Sequence, residues 1–262
     1  MTLEDPLVLR SDRADGLTTL TLNRPGQFNS LSQDMLTAIK AELDAIAGDE
    51  AVRVVVIAGA GKAFCAGHDL KEMRANHDKD FMQALFRQCG DLMLTLTRMP
   101  QPVIARVHGI ATAAGCQLVS MCDLAVAADV ARFAVSGINV GLFCSTPAVG
   151  LARNLGRKAA LEMLLTGDFI DAMEAKAKGL VNCVVPADAL DAEVERLVQS
   201  ILAKSAVAVR IGKGMFYRQL EMGLTEAYDY ASEVMACNMM SDDAGEGIDA
   251  FMQKRAPRYK GR

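Results

Sequence analysis

Apolar and polar residues alternate in two short segments near the start of the chain, and alternation with a period of two is typical of strands. The segments are 7–10 and 17–22, and the turn residues Ala14-Asp15-Gly16 between them predict a hairpin. A helical spacing of apolar residues follows, so we predict a helix that Ser32 caps and that ends near Ala47. Its apolar face consists of Met35, Leu36, Ile39, Leu43 and Ile46.

Three largely apolar runs further along the chain predict strands that are buried on both faces. These runs are 52–58, 103–107 and 124–128. Helices are predicted between them at 81–98, which Pro100 and Pro102 end, and at 114–121. Beyond residue 150 the pattern is mostly helical, with candidate helices at 157–165, 171–178, 188–203, 205–219, 223–240 and 242–254. Strands and helices that alternate before a helical tail indicate an α/β core with a C-terminal helical region.

Composition narrows the range of partners. The chain has 262 residues and a formal net charge of −4, so it has no basic field that would attract nucleic acid. No apolar run approaches the roughly 20 residues that a membrane-spanning helix needs. We therefore expect neither nucleic acid nor a membrane as a partner.

Cysteine and histidine usage bears on location and metals. The seven cysteines are odd in number and form no Cys-x-x-Cys pair, which favours reduced, mostly buried thiols. The three histidines lack a second ligand at metal-site spacing, so we expect no metal. The opening segment MTLEDPLVLR has neither the basic and apolar regions of a signal peptide nor an Arg-rich transit pattern. A bacterial cytoplasm, or an organelle after processing, fits these features, and our prediction is a cytoplasmic location.

Two segments share one strand–turn–helix pattern rich in small residues. The first runs from Lys62 to Met73 and the second from Val107 to Gln117. Small residues let the backbone approach a ligand closely, and a helix start offers unpaired N–H groups and the positive end of a dipole. Two such helix starts that face each other would hold an oxyanion. Either segment alone is an ordinary junction, so the prediction depends on their occurring together.

The two segments resemble motifs of the crotonase (enoyl-CoA hydratase/isomerase) superfamily. Phe64-Cys65-Ala66-Gly67-His68-Asp69-Leu70 is similar to its F-x-A-G-x-D segment, and Gly109 to Asp123 to its glycine-rich segment. Asn23-Arg24-Pro25 with Asn29-Ser30-Leu31, Gly179-Leu180-Val181 and the 246–255 segment match further landmarks in the same order. The segments 112–119 and 139–147 resemble the subgroup called enoyl-CoA hydratase domain-containing protein 3.

This resemblance implies a fold and an assembly. The fold is an α/β spiral of repeated ββα units, followed by C-terminal helices that assemble trimers, usually paired into hexamers. We assign residues 1–200 to the spiral core with the acyl-CoA site, and 201–262 to the helical region for packing and oligomerisation. The expected assembly is a homotrimer or a dimer of trimers. Packing of the Met-rich tail against its own core is the alternative.

The resemblance also implies roles for individual residues. Two main-chain amides, those of His68 and Ala114, would donate to the oxygen of an acyl-coenzyme A thioester. No separate cofactor is expected, because coenzyme A is part of the substrate. Its adenosine and phosphate end would lie along 28–31 and 66–68. The candidate contacts in this set are Phe28, Asn29, Leu31, Lys62, Ala66, His68, Lys71, Phe251 and Lys254.

One departure from the family pattern limits the chemistry. The two glutamates that activate water in family hydratases fall here at Gln117 and Gly137, and neither residue ionises. General acid–base assistance contributes about 10²–10⁴-fold, so hydratase activity should be poor. Cys144 is a further candidate catalytic residue, although no histidine near it in sequence would activate its thiol. The His68 imidazole has packing or solvent contact as its expected role.

Three functions remain open at this point. The first is catalysis on acyl-CoA of the hydratase/isomerase type. The second is enolate chemistry without a carboxylate base, such as decarboxylation of a carboxyl-acyl-CoA. Family methylmalonyl-CoA decarboxylases share the Ala66-Gly67-His68-Asp69 form and carry a tyrosine near the Cys144 position. The third function is binding of acyl-CoA without catalysis.

Overall fold

The computed structural model describes residues 5–262, which form ten strands and eleven α-helices. The first four residues of MTLEDPLVLR lie outside this range. The strands are β1 Val8–Asp12, β2 Leu17–Leu22, β3 Val54–Gly59, β4 Ala63–Cys65, β5 Val103–Val107, β6 Ile110–Thr112, β7 Leu124–Ala128, β8 Arg132–Ala134, β9 Ile170–Asp171 and β10 Cys183–Val185. The helices are α1 Gln33–Ala47, α2 Leu70–Ala75, α3 Lys79–Arg98, α4 Ala114–Met121, α5 Ser145–Asn154, α6 Arg157–Thr166, α7 Ala172–Lys178, α8 Leu190–Leu202, α9 Ala206–Gln219, α10 Leu224–Met239 and α11 Asp242–Met252.

The strands form two sheets. The larger has the order β1-β2-β3-β5-β7-β10, in which only β1 runs antiparallel to its neighbour. The smaller has the order β4-β6-β8-β9. Along the chain, β3-β4, β5-β6 and β7-β8 each send one strand to the large sheet and the next to the small one, and each pair is followed by helices. This repeat is the ββα spiral that the resemblance predicted, and the α/β fold class is confirmed.

The central strands of the large sheet, β3, β5 and β7, are buried on both faces, as the apolar runs predicted. Val55 and Ile57 of β3 point into the main core, which includes the inner faces of α1, α3 and α4. Val54 and Val56 point the other way, into a second cluster with α8. Alternate side chains of one strand therefore hold helices on opposite sides of the sheet.

Local signals explain where the predicted helices begin and end. Ser32 caps α1 by accepting from the amide of Met35 at 3.2 Å, and α1 ends at Ala47 as expected. The predicted helix α4 and strands β5 and β7 have the observed bounds. The short strands β4, β6, β8, β9 and β10 and the helix α5 were not predicted.

A buried ion pair joins the C-terminal region to the core. Lys213 of α9 pairs with Asp123 at 2.6 Å and also donates to the carbonyl oxygens of Leu96 and Gln101. The Tyr217 hydroxyl donates to the other carboxylate oxygen of Asp123 at 2.8 Å. Burial without such partners would be costly for both charges, so this cluster fixes the position of α9. Within residues 5–262, no helix is long and apolar enough to cross a membrane.

Candidate active site

The two small-residue segments lie against each other, backbone to backbone. A β-carbon placed on Gly67 would lie 2.8 Å from the β-carbon of Ala113 and 3.2 Å from the nitrogen of Ala114. A β-carbon on Gly115 would overlap the carbonyl oxygen of Cys65, and one on Gly109 would lie 2.5 Å from that of Lys62. Glycine is therefore required where these segments touch, because any side chain would force them apart.

The amides of His68 and Ala114 have no hydrogen-bond acceptor among residues 5–262. On either side of His68, Leu31 N donates to Gly67 O at 2.8 Å and Asp69 N donates to Leu31 O at 3.2 Å. Successive N–H groups of an extended segment point in opposite directions, so the His68 N–H points away from Leu31. Ala114 is the first residue of α4, where an N–H has no partner within the helix.

Ala113, which precedes this second amide, has an unusual backbone conformation. Its φ is 50° and its ψ is −121°, a region that glycine adopts easily and that costs other residues about 1–3 kcal/mol. Its amide donates to Ala134 O at 3.0 Å, and its carbonyl oxygen accepts from the amide of Gln117 at 3.0 Å. Surrounding contacts thus hold Ala113 in this conformation.

The imidazole of His68 packs inside the protein rather than projecting into solvent. Its Nδ1 lies 3.3 Å from the carbonyl oxygen of Leu31, and because that oxygen only accepts, Nδ1 carries the proton. The ring meets Phe86 edge-on, with centroids 5.4 Å apart. Burial lowers the pKa of His68 below its usual value, so the ring is neutral at pH 7 and its buried Nε2 is an acceptor without a partner in the described part of the chain.

Gln117 lies on α4 three residues beyond Ala114 and is 4% exposed. Its Oε1 is buried, and no described residue donates to it. Gln117 lies less than one helical turn beyond Ala114, whose amide is free among the described residues. A primary amide binds a water or a polar ligand group but accepts no proton at neutral pH.

The position of the second family glutamate has no room for a side chain. A β-carbon on Gly137 would lie 2.6 Å from Sγ of Cys144 and 2.7 Å from the carbonyl oxygen of Leu142. Gly137 belongs to a short 3-10 helix, Ser136–Val140, that a hydroxyl–hydroxyl hydrogen bond of 2.8 Å from Ser136 ties to Thr112. A side chain at 137 would therefore require Cys144 and the backbone at Leu142 to move.

Cys144 is buried and its thiol donates to the carbonyl oxygen of Val135 at 3.5 Å. Burial raises the pKa of this thiol, although a backbone hydrogen bond from Gly137 partly opposes the shift. Nucleophilic cysteines need the thiolate, so the observed environment argues against that role for Cys144. Burial similarly raises the pKa of the neighbouring Cys116 to about 12. Of the seven cysteines, five are buried, as predicted.

Several candidate contacts for coenzyme A have exposed or half-buried side chains. Phe28 is exposed, as are Lys62 and Lys71, whereas Ala66 is half-buried. The side chain of Asn29 is fully buried, and its Nδ2 donates to the carbonyl oxygens of Ala60, Ala63 and Phe64. The Asn29 side chain thus holds the loops together and is not free to meet a ligand, so a contact of residue 29 with coenzyme A would have to come from its backbone and stays a prediction.

Leu31 also has a structural side chain, which is fully buried in the main core. Only its backbone faces the site, where its carbonyl oxygen lies beside the His68 ring. Phe251 and Lys254 lie at the end of α11, which packs against α9 and α10. Both are exposed, and Lys254 has a positive φ of 53°. Within residues 5–262, no three His, Cys, Asp or Glu residues group as metal ligands do.

Comparison with known proteins decides the family. The family model described as "Enoyl-CoA hydratase/isomerase" matches residues 12–262. The chain belongs to the enoyl-CoA hydratase/isomerase family. A curated Xenopus laevis relative, "Enoyl-CoA hydratase domain-containing protein 3, mitochondrial", is 47% identical over 242 residues, which are 92% of this chain and 82% of the relative.

Solved structures of this family have the same fold. A structure described as enoyl-CoA hydratase of Mycobacterium smegmatis superposes with a TM-score of 0.96 and 59% identity, and covers 97% of this chain and 99% of its own. The human enoyl-CoA hydratase domain-containing protein 3 has a TM-score of 0.93 and 43% identity, with 97% of this chain and 100% of its own covered. The predicted resemblance to this subgroup is confirmed.

The predicted cytoplasmic location is wrong by the same comparison. Five curated relatives, including the Xenopus laevis protein, carry the word mitochondrial in their names. Reduced thiols and a near-neutral composition do not distinguish one reducing compartment from another, so the sequence features that we used could not decide the location.

Sequence reasoning missed two features of the site. It gave no role to Ala113, although an alanine stands there where the family motif has glycine, and that difference was a usable signal. It also missed that Cys144 and Leu142 fill the space beside Gly137. No signal for that contact exists in the sequence, because it depends on how the 136–144 segment folds back on itself.

Proposed function

We propose that this chain binds an acyl-coenzyme A thioester and polarises its carbonyl oxygen with the amides of His68 and Ala114. The single observation that carries the proposal is that these amides lack acceptors and belong to segments in direct contact. Donors held in place before the reaction stabilise a developing oxyanion without reorganisation. The chemistry is then formation of a thioester enolate, either by loss of CO₂ from a carboxyl group on the α-carbon or by loss of an α-proton to a base from solvent, since Gln117 accepts none.

The lack of a carboxylate pair separates this chemistry from hydration. Gln117 holds a water or a polar group but takes no proton, and Gly137 offers no side chain. We therefore expect crotonyl-CoA to be hydrated at a rate near that of buffer. We propose that the exposed lysines at 62 and 71 meet the phosphates of coenzyme A.

Decarboxylation of a carboxyl-acyl-CoA is the second candidate, favoured by the uncharged groups at the site. When CO₂ leaves a malonyl-type thioester, the electron pair of the broken C–C bond passes directly into the enolate. No base is needed for that step, and the neutral Gln117 does not repel the substrate carboxylate as a glutamate would. Protonation of the α-carbon from solvent then completes the reaction.

Three assays on the same preparation test the proposal. A cinnamoyl-CoA thioester should absorb at longer wavelength when bound, because polarisation of its carbonyl lowers its excitation energy. Deuterium uptake at the α-carbon of butyryl-CoA in D₂O measures enolate formation, and mass analysis of methylmalonyl-CoA measures decarboxylation. Binding without a red shift would contradict polarisation. A red shift without exchange or decarboxylation would instead identify a binding protein that lacks catalysis.

We also propose that the C-terminal helices assemble a homotrimer or a dimer of trimers. Large apolar side chains there are exposed in the single chain, including Leu224 at 77%, Met240 at 82% and Phe251 at 85%. Exposed apolar surface of this kind marks an interface. Sedimentation analysis tests the assembly, and a monomer at micromolar concentration would exclude it.

A further inference from the structure

The direction of the Ala114 N–H depends on the residue before it. Rotation about ψ of Ala113 turns the peptide that carries this N–H. That angle is −121° and the φ of the same residue is 50°, a combination that an L-residue with a β-carbon rarely adopts. Ala113 thus has an unfavourable backbone conformation at the bond whose rotation sets the direction of the Ala114 N–H.

Contacts on three sides of Ala113 enforce the conformation. Its amide donates to Ala134 of β8, and its carbonyl oxygen begins the hydrogen bonding of α4 through Gln117. On the third side its methyl group faces Gly67, where a β-carbon would come within 2.8 Å. Gly67 is the residue directly before His68, so the methyl group separates the two peptides that carry the free amides.

We infer that Ala113 is a positioning residue, whose methyl group acts as a spacer that sets the distance and angle between the His68 and Ala114 amides. The inference rests on the proposed function, because it assigns a purpose to the direction of those amides. Backbone strain at a functional site persists where neighbouring contacts over-determine it, and it is often tied to preorganisation. A glycine at 113 would adopt the same angles without strain, but it would also let ψ and the donor direction vary.

The test compares Ala113→Gly with the conservative Ala113→Ser, which keeps the β-carbon. We expect Ala113→Gly to bind acyl-CoA with a similar dissociation constant, to show a smaller red shift of bound cinnamoyl-CoA, and to exchange the α-proton about tenfold more slowly or worse. Ala113→Ser should retain most of the red shift and most of the α-proton exchange rate of the parent. The matched control is Ala131→Gly, which removes a fully buried methyl group from the turn before β8. It should leave the red shift unchanged.

The possible outcomes distinguish a failure of the spacer role of Ala113 from a failure of the proposed thioester polarisation. If the unmodified chain produces no red shift with cinnamoyl-CoA, the proposed polarisation fails. If the unmodified chain does produce the shift and Ala113→Gly matches it in both shift and exchange rate, the methyl group only fills space and the inference is overturned.

Thermal melting of each variant shows whether a lost signal reflects unfolding. If Ala113→Gly unfolds at the assay temperature, the comparison of Ala113→Ser with Ala113→Thr decides. A branched side chain against Gly67 should shift the absorption less than serine does, and equal shifts would reject the spacer role.

Discussion

Sγ of Cys144 lies where a side chain on Gly137 would begin, 2.6 Å from the position of its β-carbon. Gly137→Ala should therefore destabilise the protein by about 1–3 kcal/mol, the usual cost of overpacking. Cys144→Ala should recover part of this loss, but not all of it, because the carbonyl oxygen of Leu142 also lies 2.7 Å from that position. Urea unfolding of the two single variants and the double variant measures this coupling. Strict additivity would contradict the contact.

Restoring the family carboxylates should not create a hydratase. Gln117→Glu puts a carboxyl group at a buried position of α4. The side chain that Gly137→Glu introduces would overlap Cys144 and the backbone of Leu142. We expect the double variant to be less stable than the parent, with crotonyl-CoA hydration still at the background rate. Efficient hydration by it, measured by loss of the enoyl absorbance, would show that the 136–144 segment rearranges readily and that the parent is a decayed hydratase.

Removing one amide hydrogen tests the proposed oxyanion donors directly. Proline is tolerated at the first position of a helix, so Ala114→Pro deletes this N–H while α4 still begins there. Loss of one such donor costs about 10²–10³-fold in rate, so α-proton exchange should fall by that factor. Proline restricts the residue before it to extended backbone, and Ala113 is not extended, so thermal melting is measured to show that the variant is folded at the assay temperature. Arg157→Pro, at the first position of α6 and after Gly156 in extended backbone (φ −59°, ψ 142°), is the control for proline at a helix start. Unchanged exchange in Ala114→Pro would remove Ala114 from the mechanism.

Asn29 should matter for stability far more than its small size suggests. Its side chain donates to three carbonyl oxygens and accepts from the amide of Arg24 at 2.9 Å. Asn29→Ala leaves these buried groups without partners, and we expect the free energy of unfolding to fall by about 3 kcal/mol. Asn23→Ala, which loses one exposed hydrogen bond to Pro6 O, should change it by less than about 1 kcal/mol. Equal effects of the two variants would disprove this role.

Asp243 should contribute an acid-sensitive part of the stability. Burial alone would raise the pKa of its carboxyl, but hydrogen bonds from Ser205 and from the amides of Lys260 and Gly261 outweigh burial and lower the pKa. A carboxyl with a lowered folded-state pKa stabilises the protein above its unfolded-state pKa, here 3.8, and loses that contribution as the pH falls through the folded value.

Unfolding measured between pH 7 and pH 3 tests this contribution. Asp243→Asn should be less stable than the parent at pH 7, and its stability should fall less steeply below about pH 5. Asp129→Asn, an exposed carboxyl in the turn after β7, is the control and should follow the parent. Parallel curves for Asp243→Asn and the parent would show that the carboxyl has no such role.

Long elements could be predicted from the sequence, and short ones could not. Helix α4 and strands β5 and β7 were predicted with their observed bounds, because apolar runs and a glycine-rich start define them. Strands of two or three residues offer too few positions for a period to appear, so the second sheet was missed. Helix α5 was missed because Pro147 and Gly150 interrupt its pattern. Pro147 falls in its first turn, where no N–H is needed, and Gly150 lies against Ser120 of α4.

At the candidate site, the division lies between backbone groups, which the motifs predicted, and side chains, whose surroundings they did not. Motif order predicted which amides to examine, and both lack acceptors among residues 5–262. Side-chain roles depended on tertiary contacts that the motifs do not record. Asn29 and Leu31 looked like ligand contacts because they belong to a motif, yet their side chains are buried and hold the loop in place. The motif therefore identified a candidate site, but it did not distinguish exposed side chains there from buried ones that support the loop.

The close approach of the two amide-bearing segments has a practical consequence for protein engineering. Where Gly115 overlies Cys65 and Gly109 overlies Lys62, not even a methyl group fits. A randomised library that includes these codons would consist largely of clones that do not fold. Randomisation is better tolerated in 138–143, which includes exposed residues such as Val140 and Phe143.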